Sequence, residues 1–219
     1  MIPVFISKDA QDLIPELALL TEQDKITAHS LIEFKALKFS CPEPTDIIFF
    51  GSIRAADFFL ERCQPSPLIA VAGQETARKL KEKHKLNAGF IAEDSGDPNL
   101  EAQNFNQWRG DRTVAFPTSN LSIGTYMKHV PQDQKAIIQV YQTSTLNRYI
   151  AEHRVYVFSS PSNVSAFFES NQLPANAILI AWGNSTKNSL QNLQLEVHHT
   201  LLKDQQQTLL ALLQEQNYL

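Results

Sequence analysis

The stretch Val155-Tyr156-Val157-Phe158-Ser159-Ser160-Pro161-Ser162-Asn163, continued as far as Leu190, decides how this chain is read. Its first four residues form an apolar run of strand length, and the Ser/Pro/Asn group behind them breaks the run. A helix-like pattern carrying Val164, Phe167 and Phe168 follows. A second apolar run, Ala177 to Trp182, ends at Gly183, and Thr186 falls in the first turn of the next expected helix. The same order is already present between residues 46 and 80. Phe50, Ser52, Phe59 and Glu61 recur 108 positions later as Phe158, Ser160, Phe167 and Glu169, while Gly73 and Thr76 recur 110 positions later as Gly183 and Thr186. The chain therefore contains two divergent copies of one strand–turn–helix–strand–turn–helix unit.

Outside the copies the pattern continues. Ile2 to Ile6 reads as a buried strand, and residues 9–23 as a helix with Leu13, Leu17 and Leu20 on one face. Pro15 either sits in the first turn of that helix or shortens it. Ile26 to His29 reads as a short strand and Leu31 to Phe39 as an exposed or edge strand. Cys41-Pro42-Glu43-Pro44 is a break. Between the copies, Gly89 to Ala92 is an expected strand, and Asp97-Pro98 opens a helix through Leu100 and Phe105. Thr113 to Phe116 is a strand, Pro117 to Asn120 a turn ahead of a helix reaching His129, and Lys135 to Gln142 extended. After the second copy, Leu195 to His198 reads as a strand, and Asp204 to Gln207 as a capping box opening a helix with Leu209, Leu210, Leu212 and Leu213.

Alternating short strands and helices imply an α/β fold of parallel sheets with helices on both faces. Two strands at the N-terminus are too few to stand alone. Residues 1–30 are thus expected to join 145–219 in one discontinuous domain, with 41–133 forming an inserted second domain. The crossings, 31–40 and 134–144, are expected to pair as a two-stranded β-ladder linker.

Composition excludes several classes. The 219 residues are 43% hydrophobic and 19% charged with a net charge of −4, so disorder is not expected and no basic stripe invites nucleic acid. The basic cluster from Arg78 to Lys85 also contains Glu82 and reads as a solvated helix face. Cys41 and Cys63 are too few for a disulfide framework and lack metal-like spacing. The N-terminus lacks the features of a signal peptide, and no stretch reaches membrane-spanning length. A reduced, cytoplasmic protein is the expectation.

Ligands of open α/β sheets bind beyond the carboxyl ends of the strands. Five turns are expected there: Gly51-Ser52, Gly73 to Thr76, Thr118 to Asn120, Ser159 to Asn163, and Gly183 to Thr186. Each is small, hydroxyl-rich and followed by a helix, whose unpaired N–H groups and dipole attract anions without Lys or Arg. Two facing sets of such turns across a hinge would suit a ligand with several carboxylates or phosphates. Capping alone also explains Ser, Thr and Gly at helix starts, and both explanations stay open. The six histidines form no metal-binding pair at helical spacing, and nucleophile elbow, P-loop and dinucleotide fingerprint are all absent. The acidic neighbours Glu93, Asp94 and Asp97 are accounted for by solvation and capping. Tyr141, on the second crossing, is either a phenolic proton donor or a tyrosine packed on the ladder.

Several segments resemble the uroporphyrinogen-III synthase family: IIFFGS at 47–52 followed by Ala55-Ala56, AVAGQETA at 70–77, AFPTSN at 115–120, VYQT at 140–143, FSSPSNV at 158–164 and AWGNST at 181–186. The resemblance implies two flavodoxin-like domains joined by a two-stranded ladder, hinge motion, and no cofactor or metal. It implies hydroxymethylbilane as substrate, closed to uroporphyrinogen III with inversion of ring D and loss of water, through an azafulvene and a spiro intermediate. Tyr141 is then the catalytic proton donor to the departing hydroxyl. Ser52, Arg54, Thr76, Ser119, Asn120, Ser160, Ser162, Gly183 and Thr186 are the expected substrate-binding positions. A monomer is expected, with the neighbouring enzymes of the tetrapyrrole pathway as its only further partners. Two departures stand out: Leu121-Ser122-Ile123 follows Asn120 where the family often has a basic residue, and Ile53 stands where proline is common. They leave room for the alternative of a non-catalytic two-domain binding or regulatory protein for a polycarboxylate.

Overall fold

Four consecutive apolar residues can all be buried only where both faces of a sheet are covered. Val155–Phe158 (β9) and Ile47–Phe50 (β4) meet that condition, for every residue of both is buried. The computed structural model describes residues 3–93, 97–202 and 204–219, so Ile2 of the first expected strand and Asp94 of the acidic group lie outside it. The chain divides into two compact units, Met1–Glu33 with Ser144–Leu219, and Phe34–Thr143.

The first unit holds Val4–Ile6 (β1), Pro15–Glu22 (α1), Ile26–Ala28 (β2), β9, Pro161–Ser170 (α5), Ile178–Trp182 (β10), Asn184–Asn192 (α6), His199–Leu201 (β11) and Gln205–Glu215 (α7). Its sheet has the order β11-β10-β9-β1-β2, with parallel pairs throughout. Side chains alternate between two layers. Val4, Ile6, Val155 and Val157 pack with Leu13, Leu17, Leu209 and Leu213 beneath α1 and α7. Phe5, Tyr156 and Phe158 point the other way, against Phe167 of α5.

The second unit holds Ile53–Leu60 (α2), Leu68–Val71 (β5), Gln74–His84 (α3), Phe90–Ile91 (β6), Pro98–Arg109 (α4) and Val114–Ser119 (β7) beside β4. Its sheet is completed by Ile32–Ala36 (β3) and Lys135–Thr145 (β8), in the order β3-β8-β7-β4-β5-β6. The unit boundaries fall inside β3 and β8. One layer joins Ile48, Phe50, Ile69, Val71 and Ala115 to Ala55, Ala56, Phe59 and Leu80 of α2 and α3. The other joins Ile47, Phe49, Val114 and Phe116 to Phe105 of α4. Asp97 caps α4 as its sequence requires, its Oδ1 accepting from the N–H groups of Asn99 and Leu100 at 2.9 and 3.2 Å.

The strand orders reveal a longer repeat than the sequence shows. Setting β9, β10, β11, β1 and β2 against β4, β5, β6, β7 and β8 gives five strands the same order in both sheets, with β3 an addition at the edge of the second. The pieces that come last in one repeat open the chain in the other.

Several expected elements are corrected. The helix over 9–23 splits into a 3-10 turn, Ala10–Asp12, and α1, because Pro15 lacks the N–H that a continuous helix would need. Pro117 to Ser119 belongs to β7 rather than to a turn. The last pair between β7 and β4 is Ile48 with Ala115, so Pro117 faces no β4 partner that needs its missing N–H. The helix expected to reach His129 is only a 3-10 turn, Tyr126–His129, closed by the Lys135 ammonium donating to the carbonyls of Met127 and Val130. The strand expected at 195–198 does not form there; β11 begins only at His199. No capping box forms at Asp204, which has a left-handed backbone (φ 41°) instead of the extended one a cap adopts and makes no side-chain cap hydrogen bond. Gln206 instead accepts from the Ile14 N–H at 2.6 Å, where α1 begins.

The expectation of two free thiols is also corrected. Cys41, before β4, and Cys63, just after α2, are joined in a disulfide with Cα atoms 5.7 Å apart. The sheet brings the end of β3 and the end of α2 to one place, a proximity that sequence spacing does not show. The bond closes a loop of sequence separation 22, so Cys41→Ser is expected to cost about 2–4 kcal/mol in urea unfolding of the oxidised protein. Adding reductant to the unsubstituted protein should reproduce the loss and expose both thiols to titration. Equal midpoints with and without reductant would show that the bond carries no stability.

Candidate functional site

Because the strands of each sheet other than the edge strand β3 run parallel, their carboxyl ends gather along one sheet edge, and the helices that follow β4, β5, β9 and β10 start there. In the second unit these starts are Gly51-Ser52 before α2 and Gly73 before α3, with Ser119-Asn120 after β7. In the first unit they are Ser159-Ser160 before α5 and Gly183 before α6, with Ser7 after β1.

The serines cap. Ser52 Oγ accepts from the Ala55 N–H at 3.2 Å, and Ser160 Oγ accepts from the Asn163 N–H at 3.3 Å. Ser162 Oγ lies 3.0 Å from Ser160 Oγ in the same turn. Each cap occupies one donor and leaves the other first-turn N–H groups facing outward. No acidic residue lies in the first turn of α2, α5 or α6, so their dipoles favour an anion. The start of α3 differs. Beside half-buried Thr76 stands Glu75, whose carboxyl is held low chiefly by its hydrogen bonds to Arg78. A carboxylate at that position opposes a second anion, which makes α3 the least suitable of the four.

Two expected binding residues are employed internally. Thr186 is fully buried, its hydroxyl donating to the Trp182 carbonyl at 3.3 Å. Asn120 donates from Nδ2 to the Thr143 carbonyl at 3.0 Å and accepts the Thr143 N–H on Oδ1 at 2.8 Å. Its amide thus adds a rung to the β7–β8 ladder. Ser119 Oγ accepts from the Leu121 N–H at 3.2 Å within its own turn. Exposed Arg54 lies on α2 with its guanidinium carbon 3.4 Å from the centre of the Phe34 ring.

Tyr141 lies on β8 and is 8% exposed. Its ring stacks on Phe58 of α2 with centroids 5.1 Å apart and 21° between planes. The Phe34 ring meets it edge-on at 6.0 Å. No described residue hydrogen-bonds the phenol, and among described residues no buried side-chain oxygen or nitrogen lacks a partner. The hydroxyl therefore ends at the surface while the ring is held in place.

Other residues at these ends were not expected as site residues, although Asn163 lies in one of the expected turns. Ser7 is fully buried, its Oγ accepting from the Ser159 N–H at 2.8 Å. Asn163 accepts the Leu31 N–H at 2.8 Å and donates to Ser160 Oγ at 3.0 Å. Ser7 thus stitches β1 to β9 across the reversal in strand order, and Asn163 ties the start of α5 to the chain beyond β2. Phe34 and Phe58 look like any core aromatics until the tertiary fold sets them on Tyr141. Among the described residues no group of three or more His, Cys, Asp and Glu could hold a metal ion. Besides the shift at Glu75, burial pushes the Tyr126 phenol up to about 12 and the His153 imidazole down, both away from these turns.

The family model described as uroporphyrinogen-III synthase HemD matches residues 24–211. The chain belongs to the uroporphyrinogen-III synthase family. It is accordingly an enzyme of heme biosynthesis, with the function of a uroporphyrinogen-III synthase. Among solved structures, the uroporphyrinogen-III synthetase of Helicobacter pylori is 15% identical with a TM-score of 0.70, over 98% of this chain and 100% of that one. A mutant uroporphyrinogen III synthase from the extremely thermophilic bacterium Thermus thermophilus is 11% identical with a TM-score of 0.69, over 98% of each chain. At such identities these likenesses establish the α/β fold. No curated protein sequence matches the chain.

The two repeated glycines of this family member differ in backbone. Gly183 has φ 94° and ψ 168°, a region essentially closed to other residues, whereas Gly73, at φ 167° and ψ 168°, is simply extended. Gly183→Ala is expected to cost about 1–3 kcal/mol in urea unfolding. Gly73→Ala, which meets nothing within 4 Å, should leave stability within about 0.5 kcal/mol. Equal losses at the two positions would contradict this account.

Proposed function

We propose that this chain converts hydroxymethylbilane to uroporphyrinogen III as a cyclising hydro-lyase, with Tyr141 as its proton donor. The family match over residues 24–211 carries the reading. The chemistry follows from the substrate. Its terminal hydroxyl leaves as water when it takes up a proton and the pyrrole nitrogen supplies electrons to the breaking C–O bond, which gives the azafulvene. Attack by the substituted carbon of ring D forms the spiro intermediate, whose rearrangement and closure invert that ring. Uncatalysed closure omits the inversion, so catalysis consists mainly of holding one conformation of a flexible chain. The absence of a strong acid–base dyad among the described residues fits that task.

In this reading the substrate's carboxylates are met by first-turn N–H groups rather than by a lysine cluster. The start of α2, with Ser52 and Arg54, and those of α5 and α6, with Ser160, Ser162 and Gly183, take the principal carboxylates. Thr76 and Ser119 are secondary, while Asn120 and Thr186 shape their turns. Each unit is flavodoxin-like, and residues 31–40 with 134–144 form a two-stranded hinge between domains 1–30 plus 145–219 and 41–133. The protein acts without cofactor, as a cytoplasmic monomer, and its product passes to the next enzyme of the pathway. No helix among the described residues is long and apolar enough to cross a membrane.

Purified protein given hydroxymethylbilane should yield mainly the type III isomer, read after oxidation to the porphyrin. Type I alone, at the spontaneous rate, would leave the non-catalytic polycarboxylate-binding alternative standing. Tyr141→Phe is expected to lower kcat about 10²- to 10⁴-fold with an almost unchanged melting temperature, since the hydroxyl bonds no described residue. Full activity of that variant would return Tyr141 to a packing role.

A further inference from the structure

The register of β7 against β8 changes just before Tyr141. Phe116, Pro117 and Thr118 pair with Ile137, Ile138 and Gln139, but the next residue, Ser119, pairs with Tyr141. Val140 is therefore an extra residue, a β-bulge. Its effect is one of phase. In a regular strand Tyr141 would share a face with Gln139, which is exposed, and Ile137, which is 53% exposed. With the bulge it joins Ile138 and Val140 in the layer under α2, where Phe58 and Phe34 wait.

Three further contacts hold the phase once it is set. The Val140 carbonyl accepts from the Leu37 N–H at 3.0 Å, tying the bulge to the chain beyond β3. The Asn120 amide bonds both backbone groups of Thr143, two residues after Tyr141, restoring the ladder beyond the irregularity. Arg54 lies over the Phe34 ring, which meets Tyr141 edge-on while Phe58 stacks on it, so a guanidinium, two phenyl rings and the phenol form one contiguous cluster. A tyrosine needed only for packing requires no such device, because β-strands accept it in either phase.

We propose that the Val140 bulge and the Phe58–Phe34 clamp position the Tyr141 phenol for the reaction, Phe58 and Phe34 being positioning residues and not catalytic ones. The inference rests on the proposed role of Tyr141 as proton donor. The clamp fixes the ring plane, and the bulge fixes the face from which the hydroxyl emerges. Loss of either leaves a folded protein whose phenol points elsewhere.

The experiment compares Phe58→Leu, Phe58→Tyr and Phe34→Leu, each in the native and Tyr141→Phe backgrounds, by steady-state turnover of hydroxymethylbilane. Phe58→Leu should lower kcat about 10- to 100-fold with KM within about twofold, and Phe58→Tyr, which keeps the ring, should restore most of the rate. In the Tyr141→Phe background, Phe58→Leu should cause no further loss, because the group it positions is already gone. If Phe58→Leu slows both backgrounds equally, or raises KM alone, the positioning role is overturned. Should Phe58→Leu fail to fold by circular dichroism, the half-buried Phe34 supplies the same comparison. The underlying reading fails separately: absence of type III product from the unsubstituted protein removes the activity. Full turnover by Tyr141→Phe removes the donor while leaving the activity.

Discussion

Apart from the edge strand β3, which runs antiparallel to β8, the strands of both sheets are parallel with a helix layer on each face, and that arrangement constrains everything else. A parallel pair cannot be joined by a tight turn, so the chain must cross over through a helix and return to the same end. The carboxyl ends of β4, β5, β9 and β10 are each followed by a helix start, and small capping residues collect along one edge of each sheet. Burial of both faces requires continuous apolar runs such as Ile47–Phe50 and Val155–Phe158, whose alternate side chains serve opposite layers. The same requirement removes polar side chains from the strands and concentrates them in the turns, where anionic ligands can be met by main-chain N–H groups.

Capping and ligand binding draw on the same residue types, and the structure separates them position by position. Ser52 and Ser160 spend their hydroxyls on their own helices, yet in doing so they fix the turn and leave its remaining N–H groups pointing outward. Thr186 and Asn120 go further, since a fully buried hydroxyl is closed to a ligand and the Asn120 amide is committed at both its nitrogen and its oxygen to Thr143. Glu75 matters in the opposite sense, placing a negative charge where the other helices of the set have none. In the proposed reading an anion would be met at these edges chiefly by backbone N–H groups, with the capping side chains fixing their geometry.

The phenol of Tyr141 depends on a different physical fact. Strand side chains alternate with period two, so one inserted residue reverses the phase of everything after it. Val140 supplies that reversal on the strand that also forms a unit boundary. The result is a tyrosine whose ring is as enclosed as a core residue and whose hydroxyl is not. Aromatic stacking, a cation over Phe34 and a side-chain rung from Asn120 converge on that outcome, and none of them is local in sequence.

Much of this was legible in the residues themselves. The recurrence of Phe50, Ser52 and Phe59 as Phe158, Ser160 and Phe167 reports a repeated strand–helix unit, because hydrophobic period and turn chemistry are local properties. Asp97-Pro98 fixes a helix start for the same reason. The VYQT, AFPTSN and AWGNST segments carry the family, and residue type limits the chemistry at each turn. What the sequence could not contain was distance between remote parts. Only folding brings Cys41 to Cys63, makes Ser7 the partner of Ser159, and aligns the opening strands β1 and β2 with β7 and β8 as the same pieces of a permuted repeat. The face taken by Tyr141 was likewise open until strand register was set, since pairing with a neighbour, and not the order of side chains along one strand, decides where a bulge falls.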